Sequence, residues 1–102
     1  MVYLFLADGF EETEAVTTYD ILKRAGLTVK IVGVGGKTVC GAHGLTVEAD
    51  VSENAAGLSD AEMIVLPGGM PGARNLKNST AVSRAVETAL AGNKIIGAIC
   101  AA

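Results

Sequence analysis

The apolar positions fall into short unbroken runs separated by two longer segments of helical period. Val2 to Ala7 is a nearly continuous apolar run ended by Asp8-Gly9, the pattern of a strand buried on both faces of a parallel sheet. From Glu11 to Ala25 the residues Ala15, Val16, Tyr19, Leu22 and Ala25 recur at spacings of three and four, which predicts one face of a helix. Glu11, Glu12 and Glu14 open that helix, Lys23 and Arg24 close it and Gly26 stops it, each in the sense the helix dipole favours.

Leu27 to Val34 predicts a second strand and hence a strand, helix, strand unit. Gly35-Gly36 then permits a turn into Lys37 to Cys40, and Leu45, Val47 and Ala49 alternate with polar residues, so a small β-ribbon is expected. Ser52 to Leu58 is expected to form a short helix. Met63 to Leu66 is another buried strand, broken by Pro67-Gly68-Gly69. Ser79 caps a predicted helix running through Leu90, with Gly92 beyond it, and Lys94 to Ile99 predicts the last strand. This order suits an α/β fold, an open doubly wound, mostly parallel sheet with helices on both faces, of flavodoxin-like type.

Composition narrows the function classes. Half of the 102 residues are apolar and 19% are charged, enough to bury a core. A net charge of −3 without a basic stripe argues against a nucleic-acid partner. The first apolar run lacks a basic flank and meets Asp8, Glu11 and Glu12 at once, which is unlike a signal peptide. No run approaches the ~18 apolar residues of a membrane span, so no membrane partner and a cytoplasmic location are expected. There Cys40 and Cys100 are expected to stay unpaired.

In open α/β sheets ligands gather at the carboxyl ends of strands. Three such ends carry candidate chemistry: Asp8 to Glu14, Pro67-Gly68-Gly69, and Cys100-Ala101-Ala102. Cys100 follows an apolar strand and precedes two small residues, the shape of a nucleophile elbow, where a following helix would favour the thiolate. Composition alone favours a buried structural cysteine over this reading. Pro67-Gly68-Gly69 reads either as a plain turn or as a loop whose amides approach an oxyanion closely, with Gly69 and Ala101 N–H groups beside the sulfur. Glu11 and Glu12 read as a solvent-facing helix-start cluster. Glu14 sits where it can turn toward the sheet edge, and partly desolvated beside a cysteine it is expected to be protonated and to shuttle a proton. His43, the only histidine, is expected at a surface loop tip as a candidate ligand contact, together with Gly68. Cys40 is read as core. So few His and Cys residues assemble no zinc site, and Gly33 to Gly36 lacks the helix signature of a phosphate loop.

Leu6 to Ala15, Val65 to Gly69 and Gly97 to Ala102, in that order and spacing, resemble the ThiJ/PfpI superfamily along the whole chain. The resemblance implies a flavodoxin-like sandwich, Cys100 as nucleophile, Glu14 as its protonated partner, and Gly69 and Ala101 as oxyanion donors. It implies an enzyme of glyoxalase and deglycase type, a hydrolase or lyase acting on small aldehydes or glycated groups without a cofactor. Oxidative-stress sensing or chaperone action through the same cysteine, and an intracellular cysteine peptidase or amidase, are the alternatives it carries. It further implies a homodimer through the first helix, with Arg24 reaching the neighbouring subunit's site region. The family usually supplies a histidine after the elbow, a stretch absent from these residues, and close relatives have an arginine before the ribbon-loop glycine where this chain has His43. Residues 1–102 are therefore expected to be the N-terminal part of a single domain, the rest absent or bound as a second polypeptide, since a terminal carboxylate beside a central strand would be poorly solvated.

Overall fold

The computed structural model describes residues 1–54 and 57–100. In chain order the elements are β1 (Val2–Ala7), α1 (Glu12–Arg24), β2 (Val29–Val34), β3 (Thr38–Cys40), β4 (Thr46–Glu48), β5 (Val51–Ser52), β6 (Met63–Leu66), α2 (Gly72–Lys77), α3 (Thr80–Ala91) and β7 (Ile95–Ala98). Five strands form one sheet in the order β5-β2-β1-β6-β7, all pairs parallel. The register sets Val2 opposite Val29 on one side and Met63 on the other. β3 and β4 form a separate antiparallel ribbon.

The alternation along β1 sorts its side chains between two cores. Tyr3, Phe5 and Ala7 pack with Ile64, Leu76, Val82, Ala85 and Ala89, which seats α2 and α3 on one face. Val2, Leu4 and Leu6 pack with Ala15 and Val39, which seats α1 and the ribbon on the other. All six β1 residues are buried. From β1 the chain progresses to β2 in one direction and to β6 in the other, so the switch point of the doubly wound sheet lies between the carboxyl ends of β1 and β6.

The two longer predicted helices form, α1 and α3, each with a side-chain cap at its start. The Glu11 side chain accepts from the Thr13 and Glu14 amides, and Ser79 accepts from Val82. Val16 lies on the outer side of α1, exposed, whereas Ala15 is buried and Tyr19 and Leu22 pack against the core. The helix expected over Ser52 to Leu58 is not found in its described part: Val51–Ser52 pair with Val32 and Gly33 as β5, and Glu53-Asn54 turn. Ala55 and Ala56 lie outside the described residues. The ladder explains the difference, because β-branched Val51 gains a strand partner in β2 that a helix would forgo. No helix among the described residues is long and apolar enough to cross a membrane.

Candidate functional site

The candidate site is assembled where β1, β6 and β7 end. Beyond β1, buried Phe10 anchors the connection to α1, and its carbonyl accepts from the Ala42 amide of the ribbon loop at 2.8 Å. The Gly9 amide donates to the Cys40 carbonyl and Asp8 Oδ1 accepts from the Cys40 amide, so the ribbon is bolted to the end of the central strand.

Beyond β6, Gly68 is held from both sides of its peptide. Its carbonyl accepts from the Glu11 amide at 2.9 Å, and its amide donates to Glu14 Oε1 at 3.0 Å. A side chain at Gly68 would meet Glu14 Oε1 at 2.6 Å, the Ile99 carbonyl at 2.8 Å and Cys100 Cβ at 2.9 Å. The missing Cβ therefore lets the carboxylate and the carbon bearing the thiol become neighbours across one buried glycine. Gly69, at φ 103°, has a backbone that residues with side chains rarely adopt, and its amide finds no acceptor among the described residues.

Beyond β7, the Ile99 amide extends the ladder to the Leu66 carbonyl, and Cys100 follows at φ 56°. A non-glycine residue in the left-handed region marks a sharp turn, and such strain gathers at functional sites. The Cys100 residue is exposed. Ala101, the second expected oxyanion donor, lies outside the described residues.

His43 is exposed at the ribbon tip, as expected, but faces α1. Its Nδ1 lies 3.0 Å from Glu12 Oε1 and 3.7 Å from Glu11 Oε1. Glu12 is not the solvent-facing residue expected from sequence. Its Oε2 accepts from the His43 amide at 2.7 Å and the Leu45 amide at 3.2 Å, leaving the side chain 16% exposed. Burial works to raise its pKa, but the His43 imidazole and the Leu45 and His43 amides outweigh it, bringing the value down to about 2. Sequence offered no signal for this link, since its partners stand 31 and 33 residues away. The three side chains also form a group whose ligating atoms lie within 4.8 Å of one another, a mixed carboxylate and imidazole set that a count of His and Cys overlooks.

Cys40 is likewise not core: β3 turns Val39 inward and Cys40 outward, where its Sγ lies 3.6 Å from the Gly41 carbonyl. Arg24 closes α1, its Nε 3.0 Å from both Asp20 carboxylate oxygens, about 15 Å along the helix from Glu14. Among the described residues its side chain bonds Asp20 and not Cys100. A groove of about 620 Å³ between α2 and α3, lined by Met70, Leu76, Val82 and Val86 among others, includes none of Cys100, Glu14 and Gly68.

The DJ-1/PfpI family model matches residues 1–102. The chain is 34% identical over 100 residues to the Parkinson disease protein 7 homolog of Danio rerio, covering 96% of this chain and 53% of the relative. It is 33% identical over 91 residues to the glutathione-independent glyoxalase DJR-1.2 of Caenorhabditis elegans, covering 89% of this chain and 48% of that protein. The solved structure of oxidized Toxoplasma gondii DJ-1 superposes with a TM-score of 0.94 at 37% identity, over 98% of this chain and 55% of that one. The chain thus spans about half the length of these relatives.

Proposed function

Because this chain belongs to the DJ-1/PfpI family, we propose that it carries the thiol machinery of an enzyme for small reactive carbonyls, of glutathione-independent glyoxalase and deglycase type. The observation that carries this reading is the clasp at Gly68, which sets Glu14 Oε1 and Cys100 Cβ against the same point. In this reading Cys100 thiolate adds to the aldehyde carbon of methylglyoxal, forming the S–C bond and placing the charge on oxygen. The Gly69 and Ala101 amides receive that oxygen. Glu14 gives its proton to that oxygen and, as the carboxylate so formed, carries the proton from the former aldehyde carbon to the adjacent carbon while the hydroxyl proton passes to the second oxygen, leaving a thioester; water then splits the thioester, releasing lactate, restoring the thiolate and returning a proton to Glu14. No cofactor takes part in this reading. A glycated amine would follow the same addition and be released by hydrolysis.

Lactate formation by the intact protein tests the proposal. Cys100→Ser is expected to abolish it, and Glu14→Gln to lower it about a hundredfold with the fold retained. Unchanged turnover in Cys100→Ser overturns the reading.

A second reading, redox sensing with chaperone or signalling output, is favoured by the exposure of Cys100 and by a relative solved in an oxidized state. Rapid peroxide oxidation of Cys100 without any lactate would select it. A peptidase or amidase expects a histidine beside the sulfur, whereas His43 pairs with Glu12.

The proposed functional unit is larger than these residues and homodimeric. The relatives' greater length and the exposure of Ile95 on β7 support further polypeptide against that strand. Val16 and Ile21, 45% and 59% exposed on α1, support pairing through that helix, with Arg24 directed to the neighbour. A cytoplasmic setting fits the two free thiols. Sedimentation of the intact protein as a monomer at micromolar concentration would count against the dimer.

A further inference from the structure

We propose that Glu11, Glu12 and His43 form a binding site for a divalent transition-metal ion, bridging the first turn of α1 and the tip of the ribbon. The argument begins with the oxygens already committed. Glu11 Oε2 accepts from the Thr13 and Glu14 amides at 2.6 and 3.2 Å, and Glu12 Oε2 from the His43 and Leu45 amides. Each carboxylate is thereby fixed by one oxygen and presents the other, Oε1, to the same imidazole nitrogen.

The spacing is that of a coordination shell. Donors about 2 Å from a tetrahedral zinc ion stand about 3.3 Å apart. His43 Nδ1 lies 3.0 Å from Glu12 Oε1 and 3.7 Å from Glu11 Oε1, on either side of that value. All three ligand atoms lie within 4.8 Å of one another, so small rotations of exposed His43 complete the geometry.

The donor set decides the class of ion. Two carboxylate oxygens and an imidazole nitrogen suit Zn²⁺, Co²⁺, Ni²⁺ or Mn²⁺, whereas Ca²⁺ takes six to eight oxygens. Three protein donors leave positions for water. The positive end of α1 disfavours a bare cation, but its first-turn amides are already matched by Glu11, and the two carboxylates exceed the half charge of the helix end. On binding, Nδ1 gives up its contact with Glu12 and offers its lone pair to the ion, with Nε2 keeping the ring proton. The two cysteines belong to neither carboxylate nor imidazole and take no part.

The test uses the intact protein with both thiols alkylated, so that cysteine binding cannot contribute and the carbonyl chemistry proposed above is already silent. Titration with Zn²⁺ by calorimetry is expected to give one ion per chain and a raised melting temperature. Co²⁺ is expected to give visible d–d bands without a thiolate charge-transfer band. His43→Ala, at an exposed position, is expected to fold and to weaken Zn²⁺ binding by at least about tenfold. Ca²⁺ is expected not to compete. Absence of binding in the alkylated protein, or unchanged Zn²⁺ affinity in His43→Ala, overturns the proposal.

Discussion

β1 and β7 are both short apolar strands that lead into candidate site loops, yet they meet different surroundings. Every residue of β1 is buried, with β2 and β6 on its edges and helices on both faces. β7 has β6 on one edge and α3 against it, and Ile95 remains 63% exposed. An apolar run thus reports the coverage a strand is suited to, while its neighbours determine the coverage it receives. The candidate site stands at the boundary between the two environments: Gly68 follows β6, Glu14 lies in the first turn of α1, and Cys100 follows the less covered strand.

The largest effect expected from this contrast is in stability. In the 102-residue chain Phe5→Ala should cost about 3–5 kcal/mol, the usual range for a large buried side chain, whereas Ile95→Ala should cost under about 1 kcal/mol because little of its surface leaves water there. Urea midpoints measure both, and equal losses would break the distinction.

The glycines sharpen it further. Gly68→Ala forces a methyl group against a carboxylate oxygen, a backbone carbonyl and Cys100 Cβ, all under 3.0 Å. It should cost about 1–3 kcal/mol and change the rate of Cys100 alkylation by iodoacetamide. Gly97→Ala meets first the flexible end of Met63 at 3.3 Å and should shift stability by no more than about 1 kcal/mol. If both replacements behaved alike, the clasp at Gly68 would lose its meaning.

A pH effect is expected at the amino end of the central strand. Burial, then the hydrogen bond and charge of Asp60, push the Tyr3 phenol up from 10.0 to about 12. The folded state therefore holds this proton more tightly than the unfolded chain. The stabilisation is complete below about pH 10 and is lost as pH rises through about 12. Tyr3→Phe should flatten the fall in melting temperature across that window. A fall of equal steepness in Tyr3→Phe would assign it to other groups. The smallest effect concerns local opening: β7 amides should exchange hydrogen faster than β1 amides, and matched protection would remove the last part of the contrast.

What was legible in the sequence follows the same physics. β1 and β6 appear with the expected bounds, because four to six consecutive apolar residues closed by Asp-Gly or Pro-Gly leave little freedom of assignment. α1 and α3 were legible through their caps. α2 was not, since it has six residues, no side-chain cap and a start at Pro71-Gly72, which read as loop. β5, at two residues, has no period to detect. Cys100 and Glu14, the pair expected from sequence, both come close to the point where a Gly68 side chain would begin, Glu14 Oε1 at 2.6 Å and Cys100 Cβ at 2.9 Å. The ribbon's attachment was invisible, because Glu12 and its partners His43 and Leu45 are joined only by tertiary folding, and the outward turn of Cys40 depends on a register that three residues do not declare.

The ribbon's fastening has a mechanical consequence. It is tied to the chain beyond β1 by Gly9 to Cys40, Ala42 to Phe10 and the Glu12 carboxylate. Glu12, which holds the ribbon tip through the His43 and Leu45 amides, and Glu14, which holds the Gly68 amide, share the first turn of α1, so two separate loops are moored to a single turn of helix.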